Sequence, residues 1–324
     1  MKIIRNLIVG AVLSVAVTTN CQATELRVLS SWAENHAYTR EIGKVYMDLV
    51  SKASNGDITF SLFGPDAIPS FEQLEPTSQG LFDVLVTHPV YHYSNTGVGT
   101  AIDATKADSA LRRSSGLFEF IDDYYQTLGL KLLSAPLMGS KGFKYVLRDP
   151  ITASPAFEGR KIRGTPSYHP MIIALGGTPD NTPPAEIYTA LEKGIFDGAA
   201  FGRVGVKDLK LNEVAPYLAT PAFGTVGLMV FMNLDRWNSL SAEEQQVLLA
   251  QGEKLEEVSV ASFDKLAADE DEWLLSNGME LTEFLPEDKE RLDMLMNNGV
   301  WEVAAKRSPE EVAKMRELAE KAGL

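Results

Sequence analysis

The sequence predicts an α/β protein of two domains, with a C-terminal helical layer packed over both. Three observations carry that prediction. Strand-like and helix-like segments alternate with short connections between residues 25 and 87, and again between 131 and 233. From Ser241 onward the pattern is helical. The chain has 324 residues, beyond the roughly 250 to 300 at which a single hydrophobic core stops growing.

Glu25-Leu26-Arg27-Val28-Leu29-Ser30 reads as a buried strand. Residues 37–54 follow as a helix, with Ile42, Val45, Tyr46, Leu49 and Val50 on one face. Asn55-Gly56 closes it before a strand at 58–63, a short helix at 74–79 and a third strand at 81–87. This βαβ order implies a parallel sheet, whose ligands sit at the carboxyl ends of strands. Those ends carry Ser30, Ser31 and Trp32, then Thr87 and His88. A helix at 109–127 and strands at 131–134, 143–147 and 161–163 continue the chain, followed by a helix at 171–175. Thr182 is expected to cap a helix opened by Pro183-Pro184, where a missing N–H costs nothing. Gly194 ends that helix, and strands follow at 195–200 and 227–233. Ser241 with Glu244 forms a capping box for a long helix reaching about Leu275. Pro286 opens another helix, and Ser308 is expected to cap the last, which Gly323 ends.

Residues 1–23 read as a secretory leader. Lys2 and Arg5 give the positive start, residues 7–17 the apolar stretch, and Cys21-Gln22-Ala23 the cleavage site. The apolar stretch falls short of the roughly 20 residues needed to span a bilayer. A lipid anchor at Cys21 is the weaker alternative, because Thr18-Thr19-Asn20 approaches it poorly. The expectation is export to the periplasm with cleavage after Ala23. No later segment is apolar enough to cross a membrane. Cys21 is the only cysteine, so the processed chain must rely on its core without disulfides.

Net charge is −14, and removing Lys2 and Arg5 leaves −16. Such a chain repels nucleic acid and anionic lipid at long range. It also repels an anionic small molecule, so an anion site has to be local. Residues 159–202 supply one candidate: Arg163 at the end of a strand that Gly164-Thr165-Pro166 stops. A guanidinium fork fixed at a strand end grips both oxygens of a carboxylate and never deprotonates.

The same stretch carries a resemblance. Lys161-Ile162-Arg163 is followed by Pro184-Ala185-Glu186-Ile187-Tyr188-Thr189-Ala190-Leu191 and then Gly194-Ile195-Phe196-Asp197-Gly198. With the run NLDRWNSL at 233–240, the chain resembles the extracytoplasmic solute-binding proteins of tripartite ATP-independent periplasmic (TRAP) transporters, of the C4-dicarboxylate-binding type. The resemblance covers nearly all of the chain after the leader. It implies a two-lobed periplasmic binding protein fold with hinge strands, closing over a small organic carboxylate and delivering it to TRAP membrane permease subunits. It also implies that Arg163 is the carboxylate clamp. On that basis residues 24–142 and about 227–275 form one lobe, 143–226 the other, and helices within 276–324 pack across both. A monomer without cofactor, metal or nucleic-acid partner is expected.

The departures bear on the ligand. Phe201 stands where many members carry asparagine, and Gly164 where they carry valine. Lys144 is the nearest match to a second basic residue that often precedes the clamp. The candidate ligand-binding residues are therefore Arg163, Phe201, Lys144, His88 and Trp32. Each has a plainer reading: an ion pair for Arg163 or Lys144, core packing for Phe201, Trp32 or His88. Asp197-Gly198 is read as a turn, and Glu186 and Tyr188 as helix and packing residues. His88 and His92 have the spacing of a helical metal pair, but Pro89 lies between them. No nucleophile elbow, phosphate loop or dinucleotide fingerprint is present. The alternatives are an ATP-driven (ABC-type) binding protein of similar shape, or a secreted α/β enzyme using His88 or His169 as a base. Phe201 favours a mono-carboxylate with an apolar or aromatic part.

Overall fold

The computed structural model describes residues 23–324. The leader expected over 1–23, Ala23 apart, falls outside the described residues. The chain builds a first sheet from β1 (Thr24–Ser30), β2 (Ile58–Phe63), β3 (Val84–Thr87) and β4 (Leu130–Ser134). It crosses to a second sheet and lays down β5 (Phe143–Leu147), β6 (Lys161–Arg163), β7 (Thr178–Asp180), β8 (Gly198–Gly202) and β9 (Tyr217–Thr220). Then β10 (Met229–Asn233) returns to the first sheet, and β11 (Glu280–Glu283) joins the second. The result is the expected two-lobed α/β architecture.

The first sheet has the order β2-β1-β3-β10-β4. β1 runs parallel to β2 and β3, while β10 is antiparallel to β3 and β4. Both β3 and β10 are buried along their whole length. Their continuous apolar runs suit strands covered on both faces. The second sheet has the order β11-β9-β5-β8-β6-β7, with β6 parallel to its neighbours and β5 antiparallel to β8 and β9.

A 35-residue helix, Ala242–Ser276, runs along both lobes. The Ser241–Glu244 capping box starts it: Glu244 N donates to Ser241 Oγ at 3.2 Å and Ser241 N to Glu244 Oε2 at 2.8 Å. Near its start Tyr46 Oη donates to Leu248 O at 3.0 Å, and Ala135 N donates to Glu256 at 2.6 Å. Near its end Gly205 N donates to Glu270 at 2.9 Å, and Arg203 donates to Asp271 at 2.9 Å. The later helix Leu292–Arg307 also touches both sides. Asn297 on it donates to Ala104 O at 2.6 Å, and Arg291 just before it donates to Ala174 O at 3.1 Å.

Several local expectations are corrected. The helix expected over 37–54 begins as a π-helical turn, Thr39–Lys44, before Val45–Ala53. The helix expected over 109–127 breaks where Gly116 turns left-handed at φ 81°, giving Ser109–Ser114 and Leu117–Gln126. Thr182 does not cap a helix. Its hydroxyl donates to Asp180 Oδ1 at 3.0 Å, and Pro184–Glu186 forms a 3-10 turn ahead of Ile187–Glu192. Ser308 does not cap Pro309–Ala322 with its side chain; its Oγ accepts from Gly97 N at 3.0 Å. The segment after 276 is not helical throughout, because β11 completes the edge of the second sheet.

Candidate ligand-binding site

Arg163 closes β6 and is almost wholly enclosed. Two of its nitrogens are fixed by main-chain carbonyls: Nε donates to Thr182 O at 2.8 Å and Nη1 to Ala200 O at 3.0 Å. Nη2 is buried and has no hydrogen-bond partner among the described residues. A buried donor left unmade costs about 1–3 kcal/mol, and more when charged. Burial lowers the pKa of this guanidinium from its ordinary value, and Tyr91, Tyr168 and Asp180 oppose that shift. An arginine remains a cation at neutral pH all the same.

The local sequence explains this placement. Gly164 follows Arg163 directly, and a Cβ there would stand 2.9 Å from Ile172 Cδ1 and 3.0 Å from Tyr168 Cβ. The departure from valine is therefore matched to Tyr168, which folds back over the strand end. Pro166–Tyr168 is a 3-10 turn just after β6, and Pro89–His92 is another just after β3. Each sheet thus presents a tyrosine, Tyr168 or Tyr91, two residues beyond a proline that starts such a turn.

Arg163 opens on a narrow cavity between the lobes. Tyr38, His88 and Tyr91 face it from the first sheet's side, and Phe143, Tyr168 and Phe201 from the second. Phe143 and Tyr168 meet edge to face, centroids 4.8 Å apart at 78°. Burial pushes the Tyr91 phenol up to about 12, and Tyr38 and Tyr168 well above the usual range. All three hydroxyls therefore stay protonated at neutral pH and keep a donor. His88 Nε2 donates to Asp103 Oδ2 at 2.8 Å, and Asp103 Oδ1 accepts from Gly227 N at 2.9 Å. The lobes are closed on each other. A Cβ on Gly202 of β8 would fall 1.7 Å from Tyr38 Oη, and Ala37 N donates to Asp208 Oδ2 at 2.7 Å across the gap.

Of the five residues singled out from sequence, Arg163, His88 and Phe201 line this cavity. Trp32 stands behind its wall, 4.9 Å from the Tyr38 ring and 5.6 Å from that of Tyr91, and borders an adjoining recess. Lys144 is a correction. It alternates with cavity-lining Phe143 along β5, so its side chain leaves by the opposite face. There it is buried, 3.0 Å from Asp271 Oδ1 and 4.0 Å from Glu270 Oε1, as an ion-pair partner of the long helix. The histidine pair considered for metal is spent on other bonds: His88 on Asp103, and His92 on Thr87 Oγ1 at 2.9 Å. His169 Nε2 donates to Gly164 O at 3.0 Å. Sequence reasoning missed Tyr38, Tyr91, Tyr168 and Phe143. The repeated proline-x-tyrosine turn after a strand was a readable signal for two of them.

Two lobes joined by crossing segments, with a buried and incompletely bonded cation between them, define the class of two-lobed solute-binding proteins. The family model described as bacterial extracellular solute-binding protein, family 7 (DctP) matches residues 100–307. The chain belongs to that family. It is 25% identical over 257 residues to a solute-binding protein of Sulfitobacter sp. (strain NAS-14.1), covering 76% of this chain and 77% of that one. It is 30% identical over 170 residues to the ectoine-binding periplasmic protein TeaA of Halomonas elongata, covering 49% of each. Among solved structures it is similar to a TRAP periplasmic solute-binding protein from Desulfovibrio salexigens with bound orotic acid. That match has a TM-score of 0.80 and 19% identity over 92% of this chain and 98% of the other.

Proposed function

We propose that this protein captures a small organic carboxylate between its lobes and delivers it to a TRAP-type membrane permease from the periplasm, after removal of the leader at Ala23. The observation that carries this reading is Arg163 Nη2, a buried charged donor without a partner among the described residues, on a guanidinium already fixed by two carbonyls. A carboxylate oxygen at that nitrogen supplies the missing acceptor and neutralises the charge. The ligand favours the closed form to the extent that it touches both lobes. Residues 24–142 with the strand returning after about 227 serve as one jaw and 143–226, completed by β11, as the other, with the long helix shared between them. Phe201 acts as an apolar wall, which favours an acid with an apolar or aromatic part. The ectoine and orotic acid of the relatives are in keeping with a small cyclic ligand.

A thermal-shift screen of organic acids tests this. An acid at about 100 times its Kd adds roughly 2.7 kcal/mol of stability, which is a readable shift. The shift should vanish in Arg163→Ala, and the bound acid should be recovered unchanged after prolonged incubation. A shift that survives the substitution, or turnover of the acid, would defeat the reading.

A further inference from the structure

Arg163 Nη2 is not the only unsatisfied donor at the closure. Trp32 Nε1, His36 Nε2 and Tyr38 Oη are also buried without a partner among the described residues. Trp32 and His36 are each 2% exposed and lie side by side, ring centroids 6.0 Å apart. The hydrogen on His36 is placed by geometry. Tyr38 N donates to His36 Nδ1 at 3.2 Å, so Nδ1 accepts and Nε2 carries the proton. The Tyr91 hydroxyl lies near both Trp32 Nε1 and Arg163, but completes a hydrogen bond of good geometry with neither. The His36 ring stands 6.1 Å from that of Phe201, edge to face. Both residues also border a small interlobe recess, walled on the far side by Pro184, Asp208 and Leu209.

Acceptors are scarce here, because the neighbouring carboxylates are already engaged. Asp103 holds His88 and Gly227 N. Glu270 holds Gly205 N and Lys207 N. Asp208 holds Ala37 N and lies 3.3 Å from Arg40. The loop carrying Trp32 and His36 runs straight into the π-helical turn Thr39–Lys44, an irregularity common at functional sites. Thr39 Oγ1 pins it by donating to Trp32 O at 3.1 Å.

We propose that Trp32 and His36 are specificity-determining residues, selecting an acid that carries a second hydrogen-bond acceptor, such as a carbonyl oxygen, and no ammonium group. The proposal rests on the carboxylate reading of Arg163 and deepens it. A site built from N–H donors rejects a ligand lacking the matching acceptor, because its donors are then stranded. An ammonium group would face donors with no free carboxylate to receive it.

The test is calorimetric titration of the purified protein with four acids on one skeleton: pentanoate, 2-oxopentanoate, 4-oxopentanoate and 2-aminopentanoate. At least one oxo acid should bind about ten-fold or more tightly than pentanoate, with the amino acid weakest. His36→Phe and Trp32→Phe keep the ring bulk and should each pull the oxo-to-plain ratio toward one. His36→Gln, which retains an N–H donor, should restore part of it. A wild-type ratio near one, meaning that water serves these donors, overturns the proposal whether or not the variants fold. So does a ratio that neither substitution moves, or the amino acid binding as tightly as the oxo acids. Pentanoate binding that disappears in Arg163→Ala would then leave the carboxylate reading standing, whereas no binding of any acid would sink both.

Discussion

Arg163 Nη1 donates to the carbonyl of Ala200 at 3.0 Å, the residue immediately before Phe201 on β8. Cation and apolar wall are thus fixed to each other through one peptide unit. The pairing of β6 with β8, Arg163 opposite Ala199, sets their spacing. A ligand bound as proposed would meet charge and hydrophobic contact as one unit.

The first prediction concerns the fork. Arg163→Ala should weaken binding of the acid found by screening by about 2–5 kcal/mol, the range for truncating a buried charge partner. Arg163→Lys should lose nearly as much, since one ammonium cannot hold Thr182 O, Ala200 O and the ligand together. Titration of both variants checks this. Full affinity in the lysine variant would show that charge alone suffices.

Lys144 should behave in the opposite way. Lys144→Met leaves the buried Glu270 without its counter-charge and should cost roughly 3 kcal/mol of stability. Burial already raises the Glu270 carboxyl, with Lys144 opposing the rise. Ligand affinity should stay within a factor of a few of wild type. Urea unfolding and titration together separate the two effects.

Asp103 binds His88 on one oxygen and Gly227 N on the other. Asp103→Ala strands both buried donors and should lower stability by about 2–4 kcal/mol. Asp103→Asn keeps one acceptor and should lose less. Equal unfolding midpoints for the two variants would count against this role.

Closure itself can be tested at Gly202. A methyl group there meets Tyr38 Oη at 1.7 Å in the closed form. Gly202→Ala should hold the lobes apart, weakening ligand affinity by ten-fold or more, while each lobe stays folded. Solution scattering should show a larger radius of gyration that the acid no longer reduces. A normal compaction on ligand addition would contradict the contact.

The pH response follows from two buried imidazoles. Burial lowers His36 to about 4, with Asp208 opposing and Arg40 reinforcing, and lowers His92 to about 3. Each takes up its proton more readily unfolded, near 6.5, than folded. Their stabilising contribution is complete above that pH and is lost as pH falls toward 4 and then 3. For His36 the loss approaches roughly 3 kcal/mol. Urea midpoints at pH 7.5 and 4.5 should differ for wild type, and His36→Gln should remove part of the difference. An identical slope in the variant would show that other groups carry it.

Much of the architecture was legible because alternation and capping are local. The Ser241–Glu244 box and the strand ending at Arg163 needed only a few neighbouring residues to be read. Lys144 failed for a reason of register: a strand residue is assigned to a face only once its partners are known. Asp271, its partner, lies 127 positions away. Tyr38, Tyr91 and Tyr168 failed for a related reason. A tyrosine looks the same in a core and in a cavity until the two lobes are brought together. Thr182 shows a third limit, since its carbonyl does more for the site than the side chain that drew attention to it.

The long helix Ala242–Ser276 is fastened to one lobe near Leu248 and Glu256 and to the other near Glu270 and Asp271. At about 1.5 Å per residue it is a rod of roughly 50 Å. Two jaws riveted to the same rod keep a constant spacing along it. Sliding and separation are closed to them, leaving only swivel about the rod or flexure between the rivets. An opening of the proposed jaws would then be that of covers on a shared spine, exposing the same edge each time.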